Sequence, residues 1–207
     1  MSLELRPIEP HERGAVLDLL DGWLSRAFFA RYFEHDPAFR DDLCFVAIDH
    51  GRMVSTLQVF RKLVRVDGRL LRVGGVGNVY TDPAYRDRRL AGGLLERAIA
   101  AMDRQGFDAS LLFAVKLDFY AHYGWRSSPR HLTFIEPGGG GARTAVESFD
   151  AGRDLAAVAA VYAAYSSGVA GATERDGAYW RGQLGYAGNP DERFVVARRG
   201  GAIIAYA

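Results

Sequence analysis

The chain has 207 residues, 49% of them apolar and 25% charged, and a formal net charge of +1. That length suits one large domain, or one domain with part of another, of ordinary globular composition. The near-neutral balance excludes a general nucleic-acid or membrane-surface binder, either of which carries a strong basic excess, and leaves the basic run at 86–89 as a local feature.

Residues 1–6 lack a secretory apolar core, and no apolar stretch nears the roughly 20 residues that span a bilayer. Residues 3–6 alternate and stop at Pro7, which reads as a short strand. Ala15, Val16, Leu19, Leu20 and Trp23 recur at helical spacing over 12–24, and a second helix over 26–33 ends at Asp36-Pro37. Residues 43–48 form a buried strand containing Cys44, the only cysteine. A single cysteine forbids an internal disulfide and makes the cytoplasm the expected compartment. Asp49-His50-Gly51-Arg52 is a hairpin turn, 53–66 one long strand, and Asp67-Gly68 the next hairpin turn. Gly74-Gly75-Val76-Gly77 imitates half of a dinucleotide fingerprint, but the third glycine is missing and strand follows it, so it is rejected. His11, His50 and His131 are scattered without metal-ligand spacing, and no metal is expected.

The strand over 70–81 delivers the most informative stretch, residues 79–95. It reads as a strand ending at a proline, a basic turn, and a helix that opens at Arg86 or Asp87 and runs to about Gln105. Its apolar stripe is Leu90, Leu94, Leu95, Ala98, Ile99 and Met102. A helix start leaves backbone N–H groups without partners and carries positive charge. Arg86, Arg88 and Arg89 at that end oppose the dipole, so an anionic ligand fits the turn, as a pyrophosphate cradle. Residues 110–115 form an apolar strand expected to be buried on both faces. Residues 118–123 form a short helix, and Trp125 with 131–135 completes the sheet.

The run Gly138-Gly139-Gly140-Gly141 is a flexible linker. After it come a strand (144–149), two helices (155–165 and 179–184) and a strand pair (194–197 and 203–206), repeating the order of residues 3–66. The chain stops at Ala207 inside an expected strand, which reads as a truncated chain or a partial second copy. The unfinished sheet edge at 203–207 would offer pairing to another chain, a homo-oligomer included.

Residues 1–136 resemble a GNAT-type N-acetyltransferase, on 79–95 and again on 119–125. The family's loop reads Arg/Gln-x-x-Gly-x-Gly/Ala. Arg86, Asp87, Arg88, Arg89, Leu90 and Ala91 stand at those positions, so the first and last anchors match and Arg89 replaces the central glycine. The later signature, an aromatic-Tyr pair before Gly-aromatic, is Phe119-Tyr120 and Gly124-Trp125. The segment after the glycines is similar to the second unit of Eis-like tandem acetyltransferases, on element order and Tyr179-Trp180.

The resemblance implies an α/β (α+β) fold: a mixed, mostly antiparallel central sheet flanked by helices, followed by a partial second GNAT-like unit. The division is a domain at 1–136, a linker at 137–143 and the partial unit at 144–207. It implies acetyl-CoA as co-substrate, no metal, and direct attack of a primary amine, from a small molecule or a protein, on the thioester. The cleft would open between the strands ending at Thr81 and Val115. Backbone groups at Val79 and Thr81 would pair with the pantetheine arm, and the N–H groups of residues 86–91 would hold the pyrophosphate. Tyr120 would protonate the departing thiolate. At Arg89 a negative φ would free the side chain for solvent or phosphate, whereas a positive φ would cost roughly 1 kcal/mol or more. The acceptor pocket is expected from residues 22–40, rich in aromatics at Trp23, Phe28, Phe29, Tyr32 and Phe33, and from the 55–70 hairpin. Glu34, His35 and Asp36 would stand on its acceptor side. A non-catalytic acyl-CoA sensor or regulatory module is the alternative, favoured by Arg89 and by the incomplete second unit.

Overall fold

The computed structural model describes residues 3–128, 145–185 and 193–207; the strand expected at 131–135 and the glycine run at 138–141 lie outside them. The chain begins with β1 (Glu4–Pro7), which ends at its proline and passes through a 3₁₀ turn into α1 (Arg13–Leu20). Both terminal nitrogens of Arg6 donate to the Glu12 carboxylate at 2.7 Å. That guanidinium holds the Glu12 pKa down at about 2. The helix α2 (Arg26–His35) starts where the Ser25 hydroxyl accepts from the Phe28 N–H at 3.3 Å, a side-chain N-cap.

Three long strands follow: β2 (Cys44–Asp49), β3 (Arg52–Val66) and β4 (Arg69–Thr81). Their turns place His50 and Gly51 at φ 51° and 79°, and Asp67 and Gly68 at φ 47° and 75°. These are the left-handed pairs that match the twist of a two-residue hairpin. Next come α3 (Leu90–Arg104), β5 (Ala109–Leu112) and α4 (Leu117–Ala121). The first sheet has six strands in the order β1-β2-β3-β4-β5, antiparallel except for the parallel pair β4–β5; its sixth strand, introduced below, pairs with β3.

Helices cover both faces of that sheet. In β2, Phe45 and Ala47 join Leu94, Leu95 and Ala98 of α3 in one core, while Cys44 and Val46 join Val16, Leu20 and Phe29 of α1 and α2 in another. Successive side chains of a strand point to opposite faces, so a strand buried on both faces reads as an unbroken apolar run.

Two expected elements differ. The helix starts at Leu90, not at Arg86 or Asp87, because Asp87 (φ 62°) and Arg89 (φ 58°) are left-handed and cannot belong to a right-handed helix. The strand expected over 110–115 is β5, ending at Leu112, and is not buried on both faces. Among the described residues it pairs with β4, and Leu111, Phe113 and Val115 are exposed.

The C-terminal part contains β6 (Val146–Ser148), α5 (Ala151–Ser166), β7 (Ala172–Thr173), α6 (Gly177–Gly185), β8 (Val195–Arg199) and β9 (Ala202–Tyr206). Its sheet runs β6-β8-β9 and closes on Val158, Trp180, Val196 and Ile203. Asp154, buried on α5, accepts from Arg153 Nε at 2.7 Å, from Arg198, and from the Asp150 N–H at 3.0 Å. The Arg153 guanidinium foremost holds its carboxyl below the usual range.

The sequence did not point to β7, which leaves this part to pair with the far end of β3, Val64 opposite Thr173 and Arg65 opposite Ala172. Arg65 also meets Glu174 at 2.6 Å. The Cα of Gly182 sits against the His35 carbonyl and that of Gly185 against the His35 ring, so neither position has room for a β-carbon.

Candidate active site

The parallel pair β4–β5 ends at Val76 opposite Leu112, while β4 runs on to Thr81. The two strands part there. At the same place β4 fits two residues, Asn78 and Val79, opposite Leu57 alone. Asn78 takes the left-handed conformation (φ 51°), and its amide donates to Gln58 Oε1 at 2.8 Å. This is a β-bulge, a device that redirects a strand end. Val79 packs at the edge of the α3 core, and the Thr81 and Ser55 hydroxyls are 2.8 Å apart.

Beyond Thr81, Asp82 caps a short 3₁₀ turn by accepting from the Ala84 N–H at 2.9 Å, and pairs with Arg52 at 2.7 Å. Tyr85 lies between two guanidiniums, Arg52 at 5.6 Å and Arg88 at 4.7 Å from its ring centre. Arg88 leans back toward Asp49, 3.7 Å away. Arg86 and Arg89 are exposed and form no ion pair among the described residues. The backbone N–H groups of 87–92 find no acceptor among the described residues; the first that does is Gly93, bonded to the Arg89 carbonyl at 3.1 Å. The turn thus presents unpartnered donors and two free cations at the positive end of a helix, the donor set that an anionic phosphate ester requires.

Tyr120 on α4 is half-buried. It meets Phe119 edge-on at 5.0 Å and Trp125 at 6.2 Å, and burial pushes its phenol pKa up. The Tyr123 hydroxyl occupies the space a side chain on Gly92 would take, which locks this segment onto the first turn of α3. Residues 86–91 and Tyr120, nominated from the sequence, are therefore tied to one another through the start of α3.

A cleft of about 1090 Å³ opens where β4 and β5 part. One wall is Gly75, Gly77 and Asn78 of β4 with Leu112 and Phe113; the facing wall is Arg175, Tyr179, Trp180 and Tyr206. Of the aromatics expected at an acceptor pocket, Tyr32 lines this cleft, edge-on to Phe60 at 5.3 Å. Phe29 is core, Phe33 packs on Phe39 at 4.7 Å, and Trp23 stacks on Tyr80 at 6.3 Å. Of Glu34, His35 and Asp36, Asp36 lines the cleft, buried against Lys62 at 2.9 Å, while His35 abuts α6 and lies 3.9 Å from the Glu34 carboxylate. Sequence reasoning missed Lys62 and Arg175, and saw in Tyr179-Trp180 only a mark of the repeat. Lys62 lies 4.9 Å from the centre of the Tyr179 ring, a long-range juxtaposition that no local spacing encodes.

A family model for the acetyltransferase (GNAT) domain matches residues 4–127, and the chain belongs to that family, whose fold uses acetyl-CoA. Among solved structures it is similar to a probable N-acyltransferase from Enterococcus faecalis V583 (TM-score 0.75, 14% identity, covering 100% of this chain and 54% of that one). It is also similar to Eis1 from Mycobacterium abscessus (TM-score 0.63, 17% identity, 98% of this chain and 52% of that one). A predicted acetyltransferase from Clostridium acetobutylicum with acetyl-CoA covers less (TM-score 0.54, 19% identity, 65% of this chain and 96% of that one). The chain thus spans about half the length of the first two. At these identities the likeness is one of fold. No curated protein matches the chain. Among the described residues no helix is long and apolar enough to cross a membrane, and no cluster of acidic, histidine or cysteine side chains is placed to hold a metal ion.

Proposed function

We propose that the chain is an N-acetyltransferase that moves the acetyl group of acetyl-CoA to a primary amine. The observation that carries this reading is the parting of β4 from β5 directly before a turn whose N–H groups of 87–92 have no acceptor among the described residues. In this reading the backbone of residues 86–91 holds the pyrophosphate, with Arg86 and Arg89 adding charge. The free edge of β4 at Val79 and Thr81 pairs with the pantetheine arm. Acetyl-CoA, when bound, supplies a thioester carbonyl to an amine nitrogen. Tyr120, a phenol that burial pushes still further up, is protonated at neutral pH and so holds a proton ready for a leaving sulfur. The division into 1–136, a linker at 137–143 and a partial second unit at 144–207 belongs to the same reading, the second part supplying the far wall of the cleft.

The test is isothermal titration of CoA together with turnover of Tyr120→Phe. Retained CoA affinity with turnover lowered about 100-fold, the size of a lost general acid, is the expected result. CoA binding with no turnover in either protein would favour the sensor reading, and no binding at millimolar CoA would end both.

A further inference from the structure

Arg175 is a cleft-lining charge that the reading above does not use. It is half-buried in the wall of the cleft and makes no ion pair or hydrogen bond among the described residues. The acids beside it in the chain are engaged elsewhere: Glu174 with Arg65 at 2.6 Å, and Asp176 with the Tyr179 N–H at 2.7 Å. Instead its guanidinium rests on three rings, 4.2 Å from Tyr162, 5.0 Å from Trp180 and 5.7 Å from Tyr179. The rings are fixed in turn. The Tyr162 hydroxyl donates to the Thr173 carbonyl at 2.5 Å, and Tyr162 meets Trp180 edge-on at 5.6 Å.

Cation–π contacts orient a guanidinium without neutralising it, so its donor fork stays available. Among the described residues Lys62, Arg175 and Arg193 bring positive charge to the cleft, and Lys62 already pairs with the Asp36 carboxylate. The indole N–H of Trp180 is a further buried donor without an acceptor among the described residues. Arg175 and the Trp180 indole are thus cleft-wall donors whose acceptors are not supplied by the described residues. Phe60, Tyr32, Val76 and Leu112 give the cleft an apolar floor.

We propose that the acceptor amine also carries an anionic group, carboxylate or phosphate, which Arg175 binds through its donor fork while the rest of the molecule lies toward the β4–β5 opening. This rests on the acetyl-transfer reading for the role of the cleft, but the binding claim stands separately. A planar guanidinium matches carboxylate and phosphate oxygens two at a time, whereas a lysine offers only a point charge.

The experiment uses matched pairs on the 207-residue chain: L-phenylalanine against L-phenylalaninamide for carboxylate, and O-phosphoethanolamine against ethanolamine for phosphate. Binding to the CoA-saturated protein is read by ligand-observed NMR, and transfer by thiol release. The anionic member of at least one pair should bind about 10- to 100-fold tighter, the worth of a charged hydrogen-bonded contact. Arg175→Met should remove that preference, raising KM for the anionic amine with kcat little changed and leaving the neutral amine untouched. Arg175→Lys should restore it only in part. Circular dichroism and an unchanged CoA affinity establish that the variants are folded. Equal binding of both members in both pairs, or a preference that survives Arg175→Met, overturns the proposal. An Arg175-dependent preference without any thiol release upholds the anion site and counts against acetyl transfer instead.

Discussion

The N-terminal and C-terminal parts of this protein are held together by different means. In the first, β2 is buried on both faces, and α3 adds Leu94, Leu95 and Ala98, each without exposed surface. Its stability is spread over many apolar contacts, and its polar surface is left free for the turn at 86–91. In the second, Val158, Trp180, Val196 and Ile203 are the buried apolar residues among those described, and a buried carboxylate, Asp154, is clamped by two arginines. So small a core stabilises little by itself. The C-terminal part leans on its neighbour through β7, the Arg65–Glu174 pair and the close seat of α6 on His35. The wall that carries Arg175 is thus built on the part with the smaller core, and it depends on the docking.

The largest effect should come from the N-terminal core. Leu94→Ala empties a fully buried site and should cost about 2–5 kcal/mol, read by urea unfolding and by hydrogen exchange of the β2 amides. An equal loss from Val158→Ala on those same amides would show one cooperative unit and erase the contrast. Next is Gly182→Ala. A β-carbon there meets the His35 carbonyl, a backbone atom that cannot turn aside. We expect about 1–3 kcal/mol of overpacking, seen as faster exchange over 172–185 with β2 amides unchanged. Faster exchange of the β2 amides as well in that variant would mean that the two parts open together. The smallest change is Arg89→Gly. Arg89 sits at φ 58°, a conformation glycine adopts freely, so thermal unfolding should report a gain of up to about 1 kcal/mol. CoA titration of the same variant then separates backbone strain from side-chain charge.

Much of the N-terminal fold is legible along the chain because its signals are local. The Asp67-Gly68 turn, the stripe on α3 and the doubly buried run of β2 each follow from a short-range rule. The cradle was legible for the same reason, being one turn before one helix. Its detail was not. Asp87 and Arg89 enter the left-handed region without being glycine, so the helix start is displaced to Leu90. The bulge at Asn78 is set by the pairing of β4 with β3, which no local signal announces. Lys62, Asp36 and Tyr179 meet because β7 docks on β3; two residues of strand are too few to announce themselves in sequence.

Cys44 has a practical consequence. It has no exposed surface, and burial pushes its thiol up to about 12. A thiol that is neither accessible nor ionised does not react with disulfide or alkylating reagents at neutral pH. Since it is the only cysteine in the chain, any free thiol that a colour reagent detects in solution with the folded protein comes from coenzyme A. Every assay above that follows thiol release therefore starts from a silent background, and slow reagent uptake in the absence of substrate becomes a direct clock for opening of the β2 strand.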